Sequence, residues 1–199
     1  MSDSSVRQAF DALIGLDRTL FCALNAIHAP WADPIFWLLT QFGQGWLSGG
    51  LLLAGIMLRT PKVGRRRVIG ICLAAMTVGG LTGQVLKRVI GRYRPVRYFD
   101  DPAAAIAGFQ VHVVGPVLRH NSFPSGHAIA AFCAATLAVI FLGKRFWPAF
   151  LVAAAVAYSR IYVGAHFPLD VIASAALGTG IALAIGLPLK AIDKGGENV

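Results

Sequence analysis

Charge is what this sequence has least of. Only 14% of its 199 residues are Asp, Glu, Lys or Arg, where soluble domains carry roughly 25%. Whole stretches have none: residues 34–58, 68–86 and 171–189 lack any ionic side chain, 121–143 hold only His127, and 146–165 hold only Arg160. Each is as long as the ~17–25 residues that cross a bilayer core of about 30 Å. Five such runs in a short chain leave little room for a soluble domain, so the sequence reads as a membrane protein. Cysteine is nearly absent too. Cys22, Cys72 and Cys133 stand singly in apolar surroundings, which excludes a disulfide scaffold and a thiolate metal cluster. A cleavable signal peptide is not evident, because Asp3, Arg7, Asp11, Asp17 and Arg18 interrupt the first twenty residues. Repeats and low-complexity segments are missing as well.

Read along the chain, residues 5–28 place Val6, Phe10, Leu13, Ile14, Leu20, Phe21 and Leu24 near helical spacing, broken by Asp11, Asp17 and Arg18. That pattern predicts an amphipathic helix lying at the membrane surface. Spans are then expected at 34–58, 68–86, 125–142, 147–163 and 169–189. Gln41, Gln44 and Trp46 fall awkwardly near the middle of the first. Gly79-xxx-Gly83 and Gly45-xxx-Gly49 have the spacing that lets helices approach closely. The expected architecture is an all-α polytopic bundle of five transmembrane helices plus the interfacial helix. Its divisions are an N-terminal segment 1–33, a membrane domain 34–189 and a tail 190–199.

The net charge of +9 is unevenly placed. Arg59, Lys62, Arg65, Arg66 and Arg67 share one loop, as cytoplasmic loops do. Lys87, Arg88, Arg92, Arg94, Arg97 and Arg119 share the next loop, on the opposite side of the membrane. That second cluster breaks the positive-inside rule and calls for an anionic ligand. Nucleic acid fits poorly, since neither cluster lies on a soluble, aromatic-interleaved surface.

Three blocks reach that outer face. Lys87 and Arg94 lie seven apart, so on one helix they would share a face. Arg160 is a charge inside an apolar segment, a functional candidate by default. Ser125 and Gly126 open the third span, where free N–H groups favour an anion. Together these make a phosphate cradle. His166 has Asp170 four residues on, and a carboxylate beside one ring nitrogen makes the other a better base or nucleophile. His127 has no acid nearby and can serve as a proton donor. A metal is the rival use of two histidines and an aspartate, but the surrounding cations would repel it. His28, His112 and His120 read as loop residues. Arg88, Arg92 and Arg97 read as interfacial cations for anionic lipid, and Arg119 stands evenly between lipid and substrate.

These blocks, Lys87-x6-Arg94-Pro95, Pro124-Ser125-Gly126-His127 and Ser159-Arg160-x5-His166-x3-Asp170, resemble the type 2 phosphatidic acid phosphatase family over about residues 34–189. The resemblance implies a phosphatase without metal or other cofactor, working through a phosphohistidine on His166. His127 is then the general acid and Asp170 orients His166. Lys87, Arg94, Ser125, Gly126 and Arg160 hold the phosphate. It further implies a phospholipid or polyprenyl phosphate as substrate, at the outer face of a bacterial inner membrane. Undecaprenyl pyrophosphate, phosphatidylglycerophosphate, phosphatidic acid and lipid A phosphate all remain open. So do a lipid-to-lipid phosphotransferase and a non-catalytic lipid-binding or transport protein. Soluble vanadium haloperoxidases share the site pattern, and the apolar spans argue against them.

Overall fold

Apolar, uncharged segments satisfy their backbone in a bilayer only as helices or closed barrels. Here every regular element is helical among the described residues. The computed structural model describes residues 3–195, with side chains from 13 to 190. The expectations resting on the Val6, Phe10 and Asp11 side chains lie outside the described residues. The helices are α1 (Asp3–Asn25), α2 (Asp33–Gln41), α3 (Gly45–Arg59), α4 (Lys62–Ile90), α5 (Pro95–Phe99), α6 (Gly126–Leu142), α7 (Ala149–Tyr162) and α8 (Pro168–Gly195). A 3-10 turn, Lys144–Phe146, joins α6 to α7. By length and composition, α4 and α8 are apolar enough to cross a membrane; α3 and α6 are shorter apolar helices.

A helix apolar on every side belongs in a core, and α6 is one. It is central, packed against α3, α4, α7 and α8. Small residues let the neighbours close in. A Cβ on Gly178 of α8 would lie 2.4 Å from the Ile129 carbonyl oxygen. Gly79 and Gly83 of α4 meet the Ile129 side chain, as their spacing predicts; added Cβ atoms would come within 3.2 and 2.9 Å of it. Gly45 and Gly49 do not pack in this way. Gly45 has no neighbour within 4 Å, and Gly49 only the Met76 Cε, at 3.7 Å from an added Cβ.

One expected element is corrected. Residues 34–58 form two helices, α2 and α3, separated at Phe42-Gly43-Gln44. Gln44 is extended, at φ −68° and ψ 131°, and caps α3. The reason is tertiary: a Cβ on Gly43 would stand 2.6 Å from Val156 Cγ1 and 2.7 Å from His127 Cβ. The break lets the backbone pass over α6 and α7 at close range, which an unbroken helix with side chains could not do.

Helix α1 docks through a polar face. Asp17, Phe21 and Asn25, spaced four apart, are buried, while Leu13, Leu16 and Leu20 point outward. The Asn25 amide donates to the Ile161 and Tyr162 carbonyls at 3.0 and 2.9 Å, and its Oδ1 accepts the His112 N–H at 2.8 Å. The two ends of the bundle differ. At one, the Arg59 guanidinium lies over the Phe146 ring and Lys190 donates to the Ile140 carbonyl. The other gathers the C-terminus of α4, the N-termini of α6 and α8, the end of α7 and the α2–α3 break.

Candidate active site

Helix α4 stops at Gly91, which takes the left-handed conformation (φ 60°) that costs glycine little. Arg94 therefore lies beyond the helix, in extended backbone before α5. Lys87 and Arg94 do not share a helical face as their spacing suggests. They converge on the Asn121 carbonyl, which accepts from Lys87 Nζ at 3.0 Å and from Arg94 Nη2 at 3.5 Å. Asn121 itself is at φ 57°, a region where asparagine is tolerated. Arg94 is further fixed by the His120 carbonyl (Nε, 2.8 Å) and the Ala165 carbonyl (Nη1, 3.0 Å). Burial lowers the pKa of its guanidinium, opposed by the Asp170 charge.

Ser125 caps α6 but its hydroxyl makes no capping bond. Its Oγ is buried without a partner among the described residues. Its backbone N–H donates to Ser174 Oγ at 2.7 Å, which in turn donates to the Asp170 carbonyl at 2.5 Å. Gly126 and His127 begin the helix, and His127 lies within electrostatic reach of Arg160, Lys87 and Arg94. Arg160 is 6% exposed. It donates through Nη1 to Thr40 Oγ1 at 2.5 Å, and its buried Nε is unpartnered among the described residues.

His166 sits in the α7–α8 turn, 2% exposed. Its Nε2 is 3.5 Å from Arg94 Nη1, and its Nδ1 is 3.6 Å from Asp170 Oδ2. The second distance is an ion-pair approach rather than a hydrogen bond. Arginine can only donate, so the nitrogen facing Arg94 carries the lone pair and the proton belongs on Nδ1, towards Asp170. Burial pushes the imidazole pKa down to about 3, with Asp170 pulling the other way. The ring is thus neutral at ordinary pH.

Asp170 is held on every side. Oδ2 accepts from Ser122 Oγ at 2.5 Å and from the Phe167 N–H at 2.9 Å; Oδ1 accepts from Arg92 Nη1 at 2.6 Å. The structure therefore brings Lys87, Arg94, Ser125, Gly126, His127, Arg160, His166 and Asp170 to one end of the bundle. It adds Thr40, Gly43, Asn121, Ser122, Ser174 and Arg92, which sequence reading missed. A threonine or serine within an uncharged run gives no periodic signal. Arg92, expected as an interfacial cation, is instead paired inside the site.

The side chains of the remaining candidates have other partners, although the His120 and Arg119 backbone carbonyls hold Arg94. His112 pairs with Asp33 at 2.9 Å and lies against His28, the ring centroids 4.0 Å apart and the planes tilted by 37°. His120 packs edge-on against Tyr93, and Arg119 pairs with Asp100 at 2.5 Å, half-exposed. The three cysteines are free thiols. A cavity of about 520 Å³ runs between α3 and α4, from Lys87 and Gly126 past Gly49 and Gly80 to Leu52 and Cys72. Lys87 and Gly126 therefore stand at one end of a largely apolar cavity.

The profile of the PAP2 superfamily matches residues 69–187, from early in α4 to late in α8. The chain belongs to the PAP2 superfamily. Among PAP2 relatives, an undecaprenyl-diphosphatase of Sulfolobus acidocaldarius is 30% identical over 85% of this chain and 76% of its own. A lipid A 1-phosphatase of Rhizobium johnstonii is 40% identical over 52% of this chain and 41% of its own. The crystal structure of LpxE from Aquifex aeolicus superimposes with a TM-score of 0.68 at 28% identity, covering 83% of this chain and 92% of that one. These PAP2 relatives are phosphatases, and the apolar helices seen here suit a membrane member of the family.

Proposed function

We propose that this protein hydrolyses a phosphomonoester or pyrophosphate of a lipid through a phosphohistidine on His166, without a metal. The observation that carries the reading is the orientation of His166. Its lone pair faces the arginine-lined cradle and its N–H faces a fixed carboxylate. The unpartnered Ser125 Oγ and Arg160 Nε supply two further donors for phosphate oxygens, beside Lys87, Arg94 and the Gly126 end of α6. Preorganised donors of this kind stabilise charge as it develops on the phosphoryl oxygens.

In the proposed sequence, Nε2 attacks phosphorus as the bond to the leaving oxygen breaks, and His127 gives that oxygen a proton. Water, deprotonated by His127, then attacks the phosphohistidine and frees inorganic phosphate and His166. Asp170 stabilises the positive charge the imidazole carries between the steps. The channel between α3 and α4 receives the hydrocarbon tail, so a lipid substrate fits better than a soluble ester. Undecaprenyl pyrophosphate, lipid A phosphate, phosphatidylglycerophosphate and phosphatidic acid share this chemistry. We place the protein in a bacterial inner membrane, as five spans plus α1 at the interface. The break at 42–44 starts the first span at α3, and the site faces outward.

Purified protein should release phosphate from one or more of these lipids in excess chelator, and vanadate, which mimics pentacoordinate phosphorus, should inhibit it. Activity lost in chelator and restored by a divalent ion would sink the metal-free reading. Transfer of label to an added lipid acceptor, with no free phosphate, would make it a phosphotransferase.

A further inference from the structure

Arg92 is bonded to two carboxylates at once. Nη1 meets Asp170 at 2.6 Å and Nη2 meets Asp17 at 2.5 Å. Both carboxylates have side chains with no solvent exposure, and that of Arg92 is 24% exposed. The guanidinium also lies over the Phe167 ring, 4.3 Å from its centroid, and Phe167 donates its own N–H to Asp170. Asp17 uses its second oxygen, Oδ1, to accept the N–H of Leu169 at 2.8 Å. It therefore holds Asp170 twice, once through Arg92 and once through the neighbouring backbone.

Burying a carboxylate is costly unless it is paired and hydrogen-bonded. An amphipathic surface helix gains nothing from an inward-facing aspartate of that kind. Asp17 is inward, on the Asp17–Phe21–Asn25 face, with the helix leucines outside. We propose that Asp17 and Arg92 are positioning residues that fix the Asp170 carboxylate against His166, so that α1 is a working part of the catalytic machinery. The inference rests on the reading of His166 as nucleophile. Each terminal nitrogen of Arg92 holds a carboxylate and its guanidinium lies on the Phe167 ring, so both residues are assigned to Asp170 and not to the phosphate. Their loss therefore acts on the chemical step and leaves binding alone.

The test uses the full chain in nanodiscs with a lipid phosphate it turns over, comparing Arg92→Gln, Asp17→Asn and the double variant. Arg92→Gln should lower kcat by about 10²-fold, the order of loss for a misplaced catalytic group, with KM unchanged. Asp17→Asn should lose less, since asparagine still accepts the Leu169 N–H. The double variant should be no worse than Arg92→Gln alone, as expected when two residues act through one path. A raised KM at unchanged kcat would make Arg92 a phosphate ligand and overturn the proposal. Losses that multiply in the double variant would overturn it too. Should Arg92→Gln fail to fold, Asp17→Asn decides: full kcat in a folded sample refutes the arm. His166→Ala is run beside them. Wild-type turnover there would sink the nucleophile assignment itself, whereas a dead His166→Ala with an active Arg92→Gln would sink only the positioning role.

Discussion

Gly43 leaves no space for even a methyl group beside His127. Gly43→Ala should cost about 1–3 kcal/mol, as overpacking does, and should lower activity by displacing the imidazole. Gly45→Ala, two residues away with nothing within 4 Å, is the control and should be nearly silent by thermal melting and turnover. Equal effects at both positions would mean that the break is not held by His127. His127 itself is expected to matter according to the leaving group. His127→Ala should lose ~10²–10⁴-fold on a lipid alkoxide, and much less on an activated aryl phosphate that leaves without a proton. His166→Ala should abolish both turnover and acid-labile phosphoenzyme. Equal losses of His127→Ala on good and poor leaving groups would remove its role as acid. Residues with charge or a fixed spacing, such as Arg160 and the His166–Asp170 pair, were legible in the sequence. Gly43 and Thr40 were not, because their importance lies in what faces them from α6 and α7, more than eighty residues further on.

Helices form where the apolar runs predict them in α4, α6 and α8, and the hydrophobic pattern is enough to find each one. It fails at 34–58 because hydropathy cannot see a break imposed by a neighbouring helix. It also leaves 87–123 as one polar loop, where the structure uses the segment as a clamp. The Arg94 N–H bonds the Arg119 carbonyl, and the Ser122 N–H bonds the Arg92 carbonyl, at 3.1 and 2.8 Å. The α6–α8 contact can be tested by a pair of substitutions on α8, one facing α6 and one facing open space. Gly178→Ala should lower the melting temperature clearly, because its Cβ meets the Ile129 backbone, which cannot rotate away. Gly180→Ala, with open space around it, should leave melting unchanged or raise it, alanine being favoured over glycine by about 1 kcal/mol in a helix. A silent Gly178→Ala would show that the two helices can part without cost.

Orientation in the membrane belongs to the whole molecule: the basic residues divide evenly between the two sides, and the count tips towards an outward-facing site once Lys87, Arg94 and Arg160 are set aside for phosphate. Val63 is 88% exposed and Ala103 is exposed in the opposite loop, so both suit labelling with an impermeant thiol reagent once Cys22, Cys72 and Cys133 are replaced. Ala103→Cys should react in cells with only the outer membrane opened. Val63→Cys should react only after the inner membrane is broken. Reaction at Val63 from outside would turn the protein over and place its chemistry in the cytoplasm. The site draws on both ends of the chain whichever way it faces. Asp17 bonds Leu169 across 152 positions, and Asn25 bonds Tyr162 across 137. The docking face of α1 is therefore satisfied in part by α7, through Asn25, and in part by the start of α8, through Asp17. A chain without α8 would lack both Asp170 and the Leu169 N–H that Asp17 accepts, so the chemistry proposed for this site would be complete only once the two distant segments have met.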